Sequence, residues 1–131
     1  MPQTPYYPVN NNLGAIVTLS AASASGDSPA QISGQTRGVK VVVDITAISG
    51  TSPTLTVTIE GYDSASSTWY TLLASSALSA TGETVLTVYP GVSVTANQSA
   101  SDHIPAKWRV AYTIAGTTPA VTATIGACLL V

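Results

Sequence analysis

The side chains able to do chemistry are few in this sequence, and their spacing argues against most reactions. A hydrolytic centre of the Ser-His-acid type needs a histidine held by an acid and facing a nucleophile. The chain has one histidine, His103, beside Asp102 in a stretch of Ser101, Asp102, His103, Ile104 and Pro105. Neighbours in extended backbone point to opposite sides. Asp102 is therefore poorly placed to orient the ring, and a turn residue followed by an edge histidine is the simpler reading. Two carboxylates flanking a bond can hydrolyse a glycoside, and Asp44 and Glu60 are the candidates, expected on adjacent strands of a hairpin. The plainer expectation is a solvated face on which they pair with Lys40, Arg37 or Arg109. One cysteine (Cys128) and one histidine do not make a zinc site. Asp27, Asp63 and Asp102 fall in separate loops without the alternating spacing of a calcium loop. Gly34 and Gly38 lack the helix and Lys-Ser/Thr of a phosphate loop. The expectation is a chain with no catalytic residues, no metal and no cofactor. Carbohydrate binding is the most serious alternative, with Trp69, Tyr70, Tyr62 and Tyr89 as a stacking platform. Against it, Trp108 alternates in phase with Val110 and belongs to the core, and either Trp69 or Tyr70 must point inward.

The elements that would carry these residues are strands. In residues 37–63, Val39, Val41, Val43, Ile45 and Ala47 share one face, opposite Lys40, Asp44 and Thr46. Leu55, Val57 and Ile59 then alternate with Thr54, Thr56, Thr58 and Glu60. Period-2 alternation of β-branched residues signals half-buried strands. The spacing predicts a hairpin here, turning at Gly50, Thr51, Ser52 and Pro53, with the proline where a missing N–H does no harm. Further strands are predicted over residues 13–19, 69–73, 84–89, 107–114 and 121–129. Gly116, Thr117, Thr118 and Pro119 form a second hairpin loop, and Pro90-Gly91 is a sharp break. Residues 20–35 read as a polar surface loop, with Ile32 pinning it to the core. Residues 92–105 read as an irregular crossing between sheets. Cys128 reads as a buried small hydrophobe. Turn spacing of this kind predicts an all-β, single-domain antiparallel β-sandwich, jelly-roll or Ig-like, of seven to eight strands over residues 13–131.

Composition narrows the function classes. The chain has 131 residues, only four Lys and Arg and six Asp and Glu, and a net charge of −2. Four basic residues in no cluster do not hold a nucleic acid. No apolar run approaches the ~18 residues of a membrane span, and the N-terminus lacks the basic and apolar regions of a secretion signal. Synthesis and assembly in a cytoplasm are expected. A neutral surface of Ser, Thr, Ala and Gly suits a protein packed against its own copies or within a larger assembly. Residues 1–12 read as an extended N-terminal arm, because Pro2, Pro5 and Pro8 favour polyproline-like backbone. Within it, Pro5, Tyr6, Tyr7 and Pro8 are the candidate interaction residues, the tyrosines docking on a neighbouring subunit.

Three stretches carry a resemblance to a known group. Residues 37–63 resemble the pattern RGVxVxVDITAxxGTxxLTVTIxGxD, with one residue more between Thr51 and Leu55. Residues 84–91 follow TVLxVYPG, and residues 104–110 follow (L/I)PxxWRV. In this order the stretches resemble small virion proteins of tailed bacteriophages. The resemblance spans residues 37–110 and leaves out the arm and the loop at 20–35. It implies a structural role: a decoration protein on the capsid exterior that binds the major capsid protein, stabilises the head and forms a homo-oligomer, a trimer by preference. The alternative it leaves open is a glycan- or receptor-binding module on a tail or fibre.

Overall fold

The computed structural model describes residues 12–131. They form an all-β single domain of eight strands: β1 (Asn12–Ala22), β2 (Gly26–Asp27), β3 (Gln31–Ile32), β4 (Gly38–Asp63), β5 (Thr68–Ala74), β6 (Gly82–Val88), β7 (Ser99–Ala100) and β8 (Lys107–Leu130). The backbone of the molecule is one long antiparallel ribbon, β4 on β8, paired from Gly38↔Leu130 to Gly61↔Trp108. At one end of the ribbon β1 adds to β8, β6 adds to β4, and β7 extends β6 in parallel. At the other end β5 adds to β4, while β2 and β3 add to β8. All strands thus belong to one mixed sheet. Its two halves bury their inner faces in one hydrophobic cluster, from Val39, Val41 and Val43 to Val57, Ile59, Trp108 and Val110. The alternation seen in the sequence places these residues correctly: Val121, Ala123, Ile125, Ala127 and Leu129 are all buried.

The middle of the ribbon departs from expectation. Gly50–Pro53 and Gly116–Pro119 are not turns of two hairpins; each lies inside a continuous strand, and they face each other at Thr51↔Thr117. The register on either side repeats with the strands exchanged. Ile48↔Val121 matches Leu55↔Ile114, and Ser49↔Ala120 matches Thr54↔Ala115. Both segments use the same backbone, with φ of 123° at Gly50 and 50° at Ser52, and 117° at Gly116 and 52° at Thr118. The turn-forming residues are present, but they make a pair of bulges that bend both strands together instead of reversing either. The prolines fall at register shifts, where the ladder needs no N–H from them. Each glycine sits against the other strand: a Cβ on Gly50 would stand 2.8 Å from the Thr118 carbonyl, and one on Gly116 2.8 Å from that of Ser52.

Other expectations are corrected in detail. A further register shift between Ile45 and Ala47 turns Ala47 to solvent. Ala15 is likewise exposed, through a shift between Ala15 and Val17. Residues 20–35 are strapped along β8 through β2 and β3, and Ile32 is 67% exposed. Ser28, Ser33 and Thr36 are the buried residues of that stretch and its exit. Ser28 completes a two-bond pair with β8: its N–H donates to the Val110 carbonyl (2.7 Å), and its Oγ accepts from the Val110 N–H (2.9 Å). Ser75 does the same for Val57 on β4, at 2.8 and 2.9 Å. The hydroxyls stand in for carbonyls where the neighbouring strand gives out, which satisfies backbone donors that burial would otherwise leave without a partner. Cys128 is half-buried on the outer face, opposite in phase to Ala127 and Leu129.

Candidate functional site

The residues considered for catalysis are not brought together. His103 is exposed, its Nδ1 2.9 Å from the carbonyl oxygen of Ile104, and Asp102 accepts the backbone N–H of His103 at 2.8 Å, away from the ring. Asp44 and Glu60 lie on the same strand, in opposite halves of the fold, because the hairpin that would have paired them does not exist. Asp44 faces Glu83 across β6 instead. Among the described residues, no group of three His, Cys, Asp or Glu side chains is arranged to hold a metal.

The outer face of the β5–β4–β8 half carries a cluster of charged and aromatic side chains. Arg109 Nε donates to Glu60 Oε1 at 2.8 Å, and its Nη1 lies 3.3 Å from Asp27 Oδ2. The same guanidinium stacks 4.3 Å from the ring centre of Trp69. Tyr62 meets Trp69 edge to face, centroids 4.9 Å apart, and Lys107 Nζ stands 4.2 Å over Tyr62. Register explains the grouping: Glu60↔Arg109 on one side of β4 and Tyr62↔Trp69 on the other place outward-pointing side chains in adjacent rows. Strand phase in the sequence contained this, since Glu60 and Tyr62 share a face, as do Lys107 and Arg109. The pairing of β4 with β8 was the missing fact.

This cluster does not make the expected stacking platform. Of the four aromatics, Tyr62 and Trp69 are joined, but at an interplanar angle of 60° and with cations over both rings. Tyr70 points to the opposite side of β5, over Gly61, where a Cβ would come within 2.7 Å of its ring. Tyr89 lies in the other half, its hydroxyl donating to the Val131 carbonyl at 2.8 Å.

That tyrosine helps to form an open recess of about 360 Å³ on the outer face of the β1–β8–β4–β6 half. Lys40, Thr87, Tyr89, Val92, Leu130 and Val131 line it. Gly38 permits the arrangement, because a Cβ there would strike the Val88 carbonyl and the Tyr89 ring. The face beside the recess runs in cross-strand rows: Asn12–Cys128–Lys40–Thr87, then Ala15–Gly126–Val42–Val85, then Thr18–Thr124–Asp44–Glu83. Pro5, Tyr6, Tyr7 and Pro8 lie outside the described residues. Compared with protein-family models, with curated proteins and with solved structures, the chain matches none.

Proposed function

We propose that this is a structural protein of a tailed-bacteriophage particle, which binds the outside of the major capsid lattice as a decoration protein and stabilises the head. The observation that carries the reading is the outer face of the β1–β8–β4–β6 half. Its three rows hold three charged residues, Lys40, Asp44 and Glu83, among threonines, small residues and valines. Val85 is 45% exposed there. The first two rows hold one charge, Lys40, and lose little hydration free energy on contact; the facing Asp44 and Glu83 of the third row belong at the rim of such a contact, because burying unpaired charge costs several kcal/mol. Repeated over a symmetric cage, weak contacts of this kind sum to a stable coat. A homo-oligomer on a symmetry axis, a trimer by preference, suits such a lattice. The resemblance over residues 37–110 supports the same reading. A glycan-binding role on a tail is less well served, because cations already cover the rings of Tyr62 and Trp69.

The test uses particles of the phage that carries this gene, produced without the protein and then mixed with the purified chain. Saturable binding over the head, with greater resistance of filled heads to heat, is the expected result. Label confined to tails would transfer the protein to the second reading, and no binding to particles would refute both.

A further inference from the structure

We propose that two copies of this chain pair through the outer face of the β5–β4–β8 half, about a two-fold axis lying along the seam between β4 and β8. Register lays this face out in rows. The end row is Ile32–Lys107–Tyr62–Trp69, the next is Arg109–Glu60–Thr71, and the third is Asp27–Ala111–Thr58–Ala74. Thr113–Thr56 follows. A rotation about an axis parallel to the strands keeps each row in place and reverses its order, as an isologous contact requires. Ile32 then lies on the partner's Trp69, and Lys107 on the partner's Tyr62. Arg109 meets the partner's Glu60, and Ala111 meets the partner's Thr58. The face is thus complementary to itself, row by row.

Charge favours a second copy over a partner of one sign. Lys107 and Arg109 balance Asp27 and Glu60, so the face has no net charge. Arg109 holds both carboxylates. Among the described residues Lys107 has no ion pair and rests on the rings of Tyr62 (4.2 Å) and Trp69 (5.8 Å); the two-fold gives it a second tyrosine ring. Its row ends the face, because β8 begins at Lys107 and β4 ends at Asp63. The two ammoniums therefore stay at a wet rim, screened from each other. Ile32, 67% exposed, finds apolar cover on the partner's ring. Trp, Tyr and Arg are the residue types that anchor interfaces. Four strands ~4.8 Å apart and four rows ~6.8 Å apart give roughly 500 Å² per copy, or roughly 1,000 Å² in all, the lower limit for a specific contact. Association is accordingly weak, with Kd on the order of 10–100 μM. The face lies apart from the one assigned to the capsid, so on a particle this contact joins neighbouring copies without competing with it.

Sedimentation velocity of the purified full chain, from about 1 to about 500 μM, brackets that constant and should show monomer passing to dimer. Ile32→Asp and Lys107→Glu should each weaken the dimer at least about tenfold. Both side chains are exposed, so thermal unfolding of the variants at low concentration should match that of the unaltered chain. Val85→Asp, on the other half's outer face, should leave the dimer as it is. A second readout needs no variant: the Trp69 indole N–H should shift in NMR spectra as concentration rises, while that of the buried Trp108 should not. A chain that stays monomeric at the highest concentration would overturn the proposal. So would a dimer that survives both Ile32→Asp and Lys107→Glu, or one that Val85→Asp abolishes, which would move the contact to the other face. The particle-binding test reads that other face and stands or falls separately.

Discussion

Replacing Gly116 by alanine tests the bent centre of the ribbon. Two penalties act there. At φ of 117° an L-residue occupies a region outside the left-handed basin, at a cost of about 1–3 kcal/mol. The new Cβ would also stand 2.8–3.0 Å from Ser52 O, Pro53 Cα and Thr51 O. These are backbone atoms, so relief requires the ribbon to open, at about 1–3 kcal/mol for overpacking of this kind. Gly82 separates the two terms. Its φ is 134°, and a Cβ there meets nothing within 4 Å, so Gly82→Ala measures the backbone term alone, about 2 kcal/mol. Gly116→Ala should then cost about 4 kcal/mol, read as a shift in urea midpoint at constant m. In thermal terms these are losses of about 8 and 16 °C, taking ~4 °C per kcal/mol for a domain of this size. Gly50→Ala should match Gly116→Ala to within about 1 kcal/mol, since the contacts are mirrored. The double variant should cost less than the sum, because one opening of the ribbon relieves both clashes. A Gly116→Ala loss no larger than that of Gly82→Ala would show that the strands do not meet closely at Thr51 and Thr117.

Three further outcomes follow from the fold. Arg109→Met keeps the aliphatic stem but leaves Glu60 without its 2.8 Å donor; an unfolding titration should show a loss of about 1–3 kcal/mol, against about 0–1 for Asp27→Asn, whose carboxylate is 44% exposed. Equal losses would mean that the shorter ion pair is not the stronger. Ser28→Ala and Ser75→Ala each remove the acceptor of a buried N–H, from Val110 and Val57, and each should cost about 1–3 kcal/mol, with faster amide exchange at those two residues. Slow exchange there in the variants would contradict the pairing. The Ser66 hydroxyl, donating at 2.6 Å, and the Ala65 N–H, at 3.2 Å, hold the Asp63 carboxyl below the usual carboxylate range. A depressed folded value means that the stabilisation is present above the unfolded pKa and is lost as pH falls through the folded one. Ser66→Ala should raise the Asp63 titration followed by NMR, and an unmoved titration would refute the assigned cause.

Strand phase was legible except at the bulges that turn out Ala15 and Ala47, because burial of one face writes itself into alternation. It placed Val39, Val41, Val43, Leu55, Val57, Ile59, Trp108 and Val110 correctly. Pairing was not legible. Gly50 to Pro53 and Gly116 to Pro119 have the residues of turns, yet the same backbone freedom also makes bulges, and only the partner strand decides between them. That one ambiguity separated Asp44 from Glu60 and joined Glu60 to Arg109. Ile32 misled for a related reason: an isolated apolar residue in a polar stretch suggests an anchor, but the buried position went to Ser33, one residue out of phase. The recess drew on three strands and the segments after β6 and β8, and no local pattern foretells such a meeting.

The ribbon also sets the order in which the chain can mature during translation. β4 ends at Asp63 and its main partner β8 ends at Leu130, so 130 − 63 = 67 further residues must be made before the pairing can close. At ~5–20 residues per second this is a wait of roughly 3–13 s. Until β8 begins at Lys107, β4 can pair only with β5 and β6, which follow it closely, and the edge awaiting β8 remains open; its first half, nearest Gly38, stays open until the end of β8 is made. An unpaired edge rich in valine and threonine is a template for other chains. The completed domain becomes a single cooperative unit late, when its last strand arrives. Its vulnerable time is therefore synthesis, and a ribosome stalled before β8 would leave the whole of that β4 edge open to other chains.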